Sequence, residues 1–306
     1  MSITFRFDFP KFPRKRSANY GREEGIFLKG SNGCTVLLVH GLTGTPNEMR
    51  FPAVYLNRKG YSVACPRLAN HGEPLEALKY TAWQDFYATV KASFLEAKAG
   101  SSQIFVAGLS MGALLSLLLA WEFPEDISGV SCLSPTLFYD GWNSPPSRCF
   151  LPVICATFLK HFFYFKENPP YGIKNERLRQ HVHKYYSQAK LEDSSKASLY
   201  GYPFFPVTLL HQLNLLIKHL DARLGDIRVP VQLIQAAADD ITSMHNSRYI
   251  HDRIASKQKE IVLLFDSYHM ITADQERELV SAKMEGFFTG LRSEETLVKE
   301  GLAPAW

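Results

Sequence analysis

Cysteine is scarce in this sequence, and the cysteines show no pairing pattern. There are five of them, an odd number, and no two form a C-x-x-C pair. Three lie in or beside apolar runs of the kind found in strands, so we predict buried, reduced thiols in a reducing compartment rather than a disulfide framework. The five residues are Cys34, Cys65, Cys132, Cys149 and Cys155.

The sequence also lacks the segments that send a chain into or across a membrane. Residues 1–10 contain no apolar core and no small-residue cleavage site, which argues against a secretory signal. The most apolar stretch, residues 151–165, is interrupted by Lys160 and His161 and is shorter than the ~20 residues that span a bilayer. We therefore predict a soluble, cytoplasmic protein.

Strong charge and metal-ligand patterns are absent as well. The net charge is only +4, and no basic face accompanies a recognisable binding motif, so we predict no nucleic-acid partner. His181, His183 and the other scattered histidines lack metal-ligand spacing with an acid or a cysteine. We therefore predict neither a metal nor another cofactor, and we expect His181 and His183 on the surface.

What the sequence does contain is a regular alternation of strand and helix patterns. Apolar, often β-branched runs predict strands, and segments of helical periodicity lie between them. The predicted strands are 34–40, 61–65, 103–109, 127–134, 229–235 and 260–265, and the predicted helices are 46–59, 82–98, 113–120 and 273–288. Such alternation is typical of an α/β protein with a mostly parallel central sheet flanked by helices.

The alternation breaks between residues 135 and 228. This insert is rich in Phe, Tyr and Trp, contains Pro145-Pro146 and Pro169-Pro170, and follows the end of a strand, where active-site loops collect. We predict a core of residues 1–134 and 229–306, with 135–228 as an inserted cap. Most of the cap's aromatic side chains are expected in a small core of its own, and part of its surface is expected to line an apolar acyl pocket.

Residues 1–30 are predicted as an N-terminal arm. Its first twenty residues alternate aromatic with charged side chains and end in a basic run. Two interpretations stay open: an arm packed on the edge of the domain, or a basic aromatic segment that touches a membrane surface weakly.

The most informative motif is Gly108-Leu109-Ser110-Met111-Gly112. It stands between a predicted strand and a predicted helix, which is the context of a nucleophile elbow. The turn is so tight that the residues two positions from the serine must lack side-chain bulk, and the hydroxyl is left exposed at its tip. Ser110 is therefore the candidate nucleophile.

An acid and a histidine follow in the order that this arrangement requires. A serine hydroxyl needs an adjacent base, which a third group orients. Asp239 and Asp240 follow the strand 229–235, and His269 follows the strand 260–265. We predict His269 as the base and Asp239 as its orienting acid, with Asp240 as the alternative acid or as a turn or helix N-cap residue.

These motifs, together with His40-Gly41-Leu42-Thr43-Gly44 and the Tyr268–Asp274 segment, resemble the α/β-hydrolase superfamily, in particular bacterial carboxylesterases of the monoacylglycerol-lipase-like group. The resemblance implies a catalytic triad of Ser110, Asp239 and His269. It also implies an oxyanion hole formed by the backbone N–H groups of Leu42 and Met111. His40 is expected to brace its loop by hydrogen bonding. One departure is Ala69-Asn70-His71-Gly72, where relatives usually have glycine before the histidine.

The sequence thus predicts a serine hydrolase that cleaves carboxylic esters, with apolar acyl chains, through an acyl-enzyme. A thioesterase or acyltransferase would use the same triad, and a membrane-surface lipase would differ mainly in its preference for aggregated long-chain esters. A non-catalytic ligand-binding protein on this fold usually lacks a triad member, whereas all three are present here. The expected partner is a small-molecule ester, while the oligomeric state stays open.

Overall fold

The structure, a computed structural model, describes residues 2–5, 25–144, 151–189, 191 and 201–292. Cys149 and most of the predicted arm lie outside these residues. In chain order the described strands are β1 (Ser2–Phe5), β2 (Ile26–Leu28), β3 (Cys34–Val39), β4 (Ser62–Cys65), β5 (Gln103–Leu109), β6 (Gly129–Leu133), β7 (Phe163–Lys166), β8 (Phe204–Pro206), β9 (Val231–Ala236) and β10 (Lys259–Leu264). The described α-helices are α1 (Arg50–Arg58), α2 (Leu75–Lys79), α3 (Trp83–Lys98), α4 (Met111–Glu122), α5 (Leu151–Ala156), α6 (Glu176–Gln188), α7 (Val207–Asp221), α8 (Met244–Arg253) and α9 (Arg277–Gly290).

The central sheet has the strand order β10-β9-β6-β5-β3-β4-β2. Every neighbouring pair is parallel except β2 and β4. The predicted mostly parallel sheet is therefore confirmed. Short β2, the antiparallel edge strand, was not predicted, because three residues carry too little periodicity to stand out.

Alternating side chains of the strands build a core on each face of the sheet. In β3, Leu37 and Val39 pack into a cluster with α3, α4 and α7, whereas Val36 and Leu38 pack into a second cluster with α1 and α9. This period of two is a consequence of the pleat, and a strand buried on both faces needs apolar residues throughout. Cys34, Cys65, Cys132 and Cys155 are buried and form no disulfide, as predicted for these four.

Strand register sets which loops meet at the carboxyl edge of the sheet. Val39 at the end of β3 is opposite Gly108 near the end of β5, so the loop after β3 adjoins the turn that carries Ser110. Ala236 is likewise opposite Leu264, which brings together the loops after β9 and β10. All the candidate site residues therefore come from this edge.

The insert, residues 135–228, contains regular structure that its sequence pattern did not predict. Strands β7 and β8 form a small antiparallel sheet with β1 from the N-terminus, in the order β1-β7-β8. Helix α6 contributes Val182 and Tyr186 to a separate small cluster with Ile173. By contrast, many aromatic side chains of the insert, such as Tyr164, Phe165 and Phe205, belong to the large core cluster.

Helix α7 shows why the boundary of the insert is hard to draw from sequence. Leu209, Leu213, Leu216 and Leu220 recur on one face and pack into the same cluster as α3 and α4. This packing places α7 in the layer that covers the central sheet. The helix lies within residues 135–228, so part of the predicted insert packs in this layer. Within the described residues, no helix combines the length and the apolar character needed to cross a membrane.

Candidate active site

Ser110 lies at a strained turn between β5 and α4. Its φ of 57° and ψ of −116° fall in a region that residues with side chains rarely occupy. A Cβ on Gly108 would overlap the backbone of Gly112, and a Cβ on Gly112 would overlap the carbonyl oxygen of Val39. Glycine is therefore required at both positions, because the turn brings three backbone segments into contact. The predicted elbow geometry is present.

Asp239, rather than Asp240, lies against the imidazole of His269. The Nδ1 atom of His269 is 2.9 Å from Asp239 Oδ2 and 3.1 Å from Oδ1. Both side chains are buried, with His269 only 3% exposed and Asp239 4%. A carboxylate bound at Nδ1 leaves the proton on that nitrogen and turns Nε2 outward as the free acceptor.

A network of donors holds the Asp239 carboxylate. The backbone N–H groups of Ile241 and Thr242 both donate to Oδ1, each at 2.9 Å. Gln235 Nε2 donates to Oδ2 at 2.7 Å, and Thr242 Oγ1 donates to the same oxygen at 3.1 Å. Ser247 Oγ in turn donates to Gln235 Oε1 at 2.9 Å. Every one of these partners of Asp239 donates, so both carboxylate oxygens are held in place by hydrogen bonds.

Asp240 connects the histidine loop to the insert. Its Oδ1 accepts a hydrogen bond from the backbone N–H of His269 at 3.3 Å, and its Oδ2 accepts one from Gly172 N–H at 3.1 Å. The interpretation of Asp240 as a helix N-cap is wrong, because Ser243 caps α8 through its hydroxyl. Asp240 instead joins two chain segments, at Gly172 and at His269, that are about a hundred residues apart in sequence.

Asp274 makes a second connection between the same two segments. Its Oδ2 accepts hydrogen bonds from the backbone N–H groups of Lys174 at 2.7 Å and Tyr268 at 2.9 Å, and its Oδ1 accepts one from Asn175 at 2.8 Å. Met270 N–H also donates to Gly172 O at 2.8 Å. Gly172 has a φ of +72°, and a Cβ there would lie 3.1 Å from the Cβ of His269. We refer to residues 169–175 as the docked segment.

Two buried histidines brace the loop that follows β3. His40 Nε2 accepts a hydrogen bond from Leu68 N–H at 3.1 Å, and its Nδ1 lies 2.9 Å from Gly41 O. His71 Nε2 lies 2.7 Å from Leu42 O. Burial holds the pKa of His40 well below its usual range, with His71 adding to the effect, so the ring is neutral and suited to bracing. This arrangement agrees with the role expected for His40.

The departure at Asn70 has a conformational reason. Asn70 adopts a φ of 60°, in the left-handed region where glycine is most easily accommodated. Asparagine is one of the few residues with a side chain that enters this region readily. Its side-chain nitrogen donates to Thr81 Oγ1 at 2.8 Å, which secures the turn before His71.

Glu48 supports the same loop from the other side. Its Oε2 accepts a hydrogen bond from Gly41 N–H at 3.0 Å, next to the predicted oxyanion donor Leu42. The second predicted donor, Met111, is the first residue of α4, where backbone N–H groups have no partner within the helix. Burial raises the pKa of the Glu48 carboxyl to about 7, against the Gly41 hydrogen bond and the charge of His269, which lower it.

The hydroxyl of Ser110 has a partner that the sequence did not predict. Ser110 Oγ lies 2.8 Å from the Oγ1 of Thr136, a residue that is only 1% exposed. Thr136 follows β6, whose carboxyl end is adjacent to that of β5. The bond fixes the direction of the serine side chain. In the sequence, the only signal for this contact is that Thr136 is a polar residue shortly after a buried strand.

The surroundings of His269 favour its protonated form. Burial lowers the pKa of the imidazole, but the charge and hydrogen bond of Asp239 raise it, and Asp240 and Glu48 act in the same direction. The pKa of His269 is therefore raised above its usual value. A second carboxyl group, Glu167 of the insert, has its pKa raised to about 7 by burial and by the charge of Asp240.

A cavity of about 570 Å³ connects these groups. Gly41, Leu42, Ser110 and His269 line one part of it, and the insert contributes much of the rest of its wall. The lining residues from the insert are Tyr139, Glu167, Tyr171, Ile173, Leu178, Val182, Tyr186, Phe205 and Leu210. Most of these are apolar or aromatic, which suits a hydrocarbon chain better than a charged group.

Comparison with known proteins agrees with this geometry. Residues 31–276 match the family described as serine aminopeptidase, S33. The chain is 30% identical over 253 residues to a thermostable monoacylglycerol lipase of Bacillus sp. (strain H-257), covering 83% of this chain and 89% of that protein. It is 25% identical over 264 residues to a carboxylesterase of Bacillus subtilis (strain 168), covering 84% of this chain and 92% of that protein.

A solved structure of a lipolytic enzyme also has a similar fold. It comes from work on two metagenome-derived lipolytic enzymes, LipS and LipT, and aligns with a TM-score of 0.69 at 26% identity, covering 87% of this chain and 97% of that one. The predicted resemblance to α/β-hydrolases is confirmed by the family match, by both relatives and by this fold. The chain therefore belongs to the serine aminopeptidase S33 family and is an α/β-hydrolase that cleaves carboxylic esters.

Proposed function

We propose that Ser110, His269 and Asp239 form the catalytic triad and that the enzyme cleaves esters of apolar acyl chains with small alcohols, monoacylglycerols among them. The observation that carries this proposal is the contact of His269 with Asp239 at the rim of a largely apolar cavity that also contains Ser110. The relative named monoacylglycerol lipase supports the choice of substrate. Glu48 and Glu167 line the same cavity and can accept hydrogen bonds from alcohol hydroxyls.

The proposed reaction follows from the positions of these groups. His269 takes the Ser110 proton through Nε2 while Oγ attacks the ester carbonyl, and Asp239 stabilises the imidazolium. The backbone N–H groups of Leu42 and Met111 bind the oxyanion that forms. His269 then protonates the leaving alcohol. A water molecule activated by the same imidazole releases the acid and restores Ser110.

Hydrolysis of a matched substrate panel tests the proposal. The panel contains p-nitrophenyl esters of increasing acyl length, a monoacylglycerol and the corresponding acyl-CoA. We expect kcat/KM to be highest for an oxygen ester and to rise with acyl length until the cavity is filled. A clear preference for acyl-CoA would assign the thioesterase alternative, and release of amino acids from p-nitroanilides without ester cleavage would contradict the proposal.

The raised pKa of His269 predicts a specific pH dependence. A general base must be neutral, so kcat/KM should rise with pH along an acid limb whose midpoint lies above 6.5, the ordinary value for histidine. Glu48→Gln removes one of the negative charges that raise this pKa, while the amide oxygen can still accept from Gly41 N–H. The acid limb should therefore move to lower pH in this variant.

A pH-rate profile of both proteins measures the shift. Glu125→Gln is a matched control, because Glu125 is an exposed acid outside the cavity lining. The Glu125→Gln variant should have the same pH-rate profile as the unmodified enzyme. An acid limb that moves upward in Glu48→Gln, or does not move, would contradict the assigned electrostatic role.

The insert is predicted to set the preferred acyl length. Leu178 on α6 lines the cavity, so Leu178→Phe should shorten the preferred chain and spare the shortest esters. Each excluded methylene costs about 1 kcal/mol of binding. Leu215→Phe is the control, since Leu215 is an exposed residue of the insert outside the cavity lining. The measurement is kcat/KM across the p-nitrophenyl series, and identical profiles for both variants would contradict the prediction.

A further inference from the structure

One face of α1 forms a wall of the cavity. Arg50, Phe51, Val54, Tyr55 and Arg58 all line it, together with Ser110 and His269. Residues 50, 54 and 58 are spaced by four and therefore lie on one side of a helix, with 51 and 55 beside them. The two arginines are separated by about 12 Å along the helix axis. This wall combines apolar side chains with a cation near each end.

Another wall of the same cavity comes from α6 of the insert. Leu178, Val182 and Tyr186 are again spaced by four, and all three line the same cavity. The two stripes line one cavity, which therefore has apolar side chains from α6 and arginines from α1. We call this part of the cavity the α1–α6 trough.

A third arginine lies over the trough. The guanidinium of Arg277, at the start of α9, is 4.9 Å from the centre of the Phe51 ring. Its Nη1 lies 3.5 Å from the carbonyl oxygen of Ala273, and within the described residues this contact engages only one of its five N–H donors. Stacking on an aromatic face holds the planar group in position while its edges stay available for an anion.

The three arginines have no acidic partner in the part of the chain that the structure describes. Among the residues that the structure describes, no ion pair involves Arg50, Arg58 or Arg277, although all three are exposed. The carboxyl groups of the cavity, Glu48 and Glu167, interact electrostatically with His269 instead. Carboxyl groups therefore lie near the candidate triad, whereas the three arginines line the part of the cavity formed by α1 and the start of α9.

Resting on the proposed ester hydrolysis, we propose that Arg50, Arg58 and Arg277 form an anion-binding subsite, and that preferred substrates carry a carboxylate or phosphate group besides the scissile ester. The apolar wall of α6 receives the hydrocarbon part of the substrate. The guanidinium groups then bind the anion through paired N–H donors, a geometry that suits both carboxylate and phosphate.

Matched pairs of esters test this subsite and distinguish the two possible positions of the anion. One pair is the p-nitrophenyl half-ester of a dicarboxylic acid and the p-nitrophenyl ester of the monocarboxylic acid with the same number of carbons, which places the anion on the acyl side. The other is a 1-acylglycerol 3-phosphate and the monoacylglycerol with the same chain, which places it on the alcohol side. The quantity measured is the ratio of kcat/KM for the charged ester to that for its uncharged partner.

In the wild type we expect a ratio above one for at least one pair. The double variant Arg50→Gln/Arg58→Gln should lower that ratio by roughly 10-fold, because charge-assisted contacts at a partly exposed site are lost. Arg277→Gln should lower it in the same direction, and added salt should reduce it in the wild type. Arg248→Gln removes one exposed arginine on α8 outside the cavity lining and should leave the ratio unchanged.

Three results would overturn the subsite. The first is a ratio below one for both pairs in the wild type or a ratio that the arginine variants do not change. The second is an equal loss for charged and uncharged esters, which would make the arginines part of the wall only. The third is an effect seen only when an uncharged ester is presented in vesicles of anionic lipid, which would assign the arginines to a membrane surface.

Binding to Ser110→Ala separates a failure of the subsite from a failure of the proposed function. Calorimetric titration of this variant with the half-ester and with its uncharged partner needs no turnover. Tighter binding of the half-ester that is lost on Arg50→Gln/Arg58→Gln would support the subsite even if the wild type cleaved none of these esters. Equal binding of both esters would overturn the subsite while leaving ester hydrolysis intact.

Discussion

Ser110→Ala is expected to lower kcat/KM for every ester by roughly 10³-fold or more, because triad residues act as a unit and the remaining groups cannot form an acyl-enzyme. Ser110 occupies a turn with a φ of 57°, and alanine has the same Cβ, so the backbone requirement of the site is unchanged. The loss should therefore come from the missing hydroxyl. Thermal unfolding of the variant should stay close to that of the wild type.

Covalent labelling provides an independent measurement of the same prediction. A fluorophosphonate should modify the wild type at Ser110 and should not modify the alanine variant. Ser102→Ala is the matched control, since Ser102 is an exposed serine at the other end of β5. It should retain both activity and labelling. Full ester turnover by Ser110→Ala would rule out the proposed nucleophile.

Asp239→Asn should also lower kcat/KM by roughly 10³-fold or more, but for a different structural reason from Ser110→Ala. Every group around the Asp239 carboxylate is a donor: Ile241 N–H, Thr242 N–H and Oγ1, Gln235 Nε2 and the Nδ1–H of His269. The side-chain NH₂ of the new asparagine is itself a donor, so it cannot form a hydrogen bond with the donor that it faces. The imidazole is then turned, or its proton moves to Nε2, and it no longer accepts the serine proton.

Asp240→Asn gives the matched comparison. Its two carboxylate oxygens accept one backbone N–H each, from His269 and Gly172, so the amide keeps one bond and loses the other. We expect a loss of about 10-fold, from a less firmly held histidine loop. Comparison of kcat/KM for the two variants decides the assignment. A steeper loss in Asp240→Asn than in Asp239→Asn would transfer the orienting role to Asp240.

The parts of the site that the sequence predicted are those with a local signal. Ser110 lies in a five-residue motif between a strand and a helix, and Asp239 and His269 directly follow apolar strands. Each of these signals can be read within about ten residues. The parallel sheet could be predicted for the same reason, because each strand is a short apolar run and each helix has its own period.

The unpredicted parts depend on contacts between distant segments. Asp274 accepts hydrogen bonds from the backbone N–H groups of Lys174 and Asn175, about a hundred residues earlier in the chain. No motif near Asp274 predicts these partners. Thr136 meets Ser110 only because β5 and β6 are neighbours. Helix α7 has a clear apolar face, yet its sequence does not reveal whether that face packs on the insert or on the central sheet. Such questions are decided by tertiary packing.

The docked segment has a consequence for exchanging caps between related enzymes. Residues 169–175 share hydrogen bonds with Asp240, Met270 and Asp274, so this part of the insert is also a support of the loop that carries His269. A transplanted cap that replaces this segment would alter the proposed substrate preference and would also disturb His269, the proposed base. A chimera designed for specificity alone should therefore keep residues 169–175 from the recipient and exchange only the chain around them.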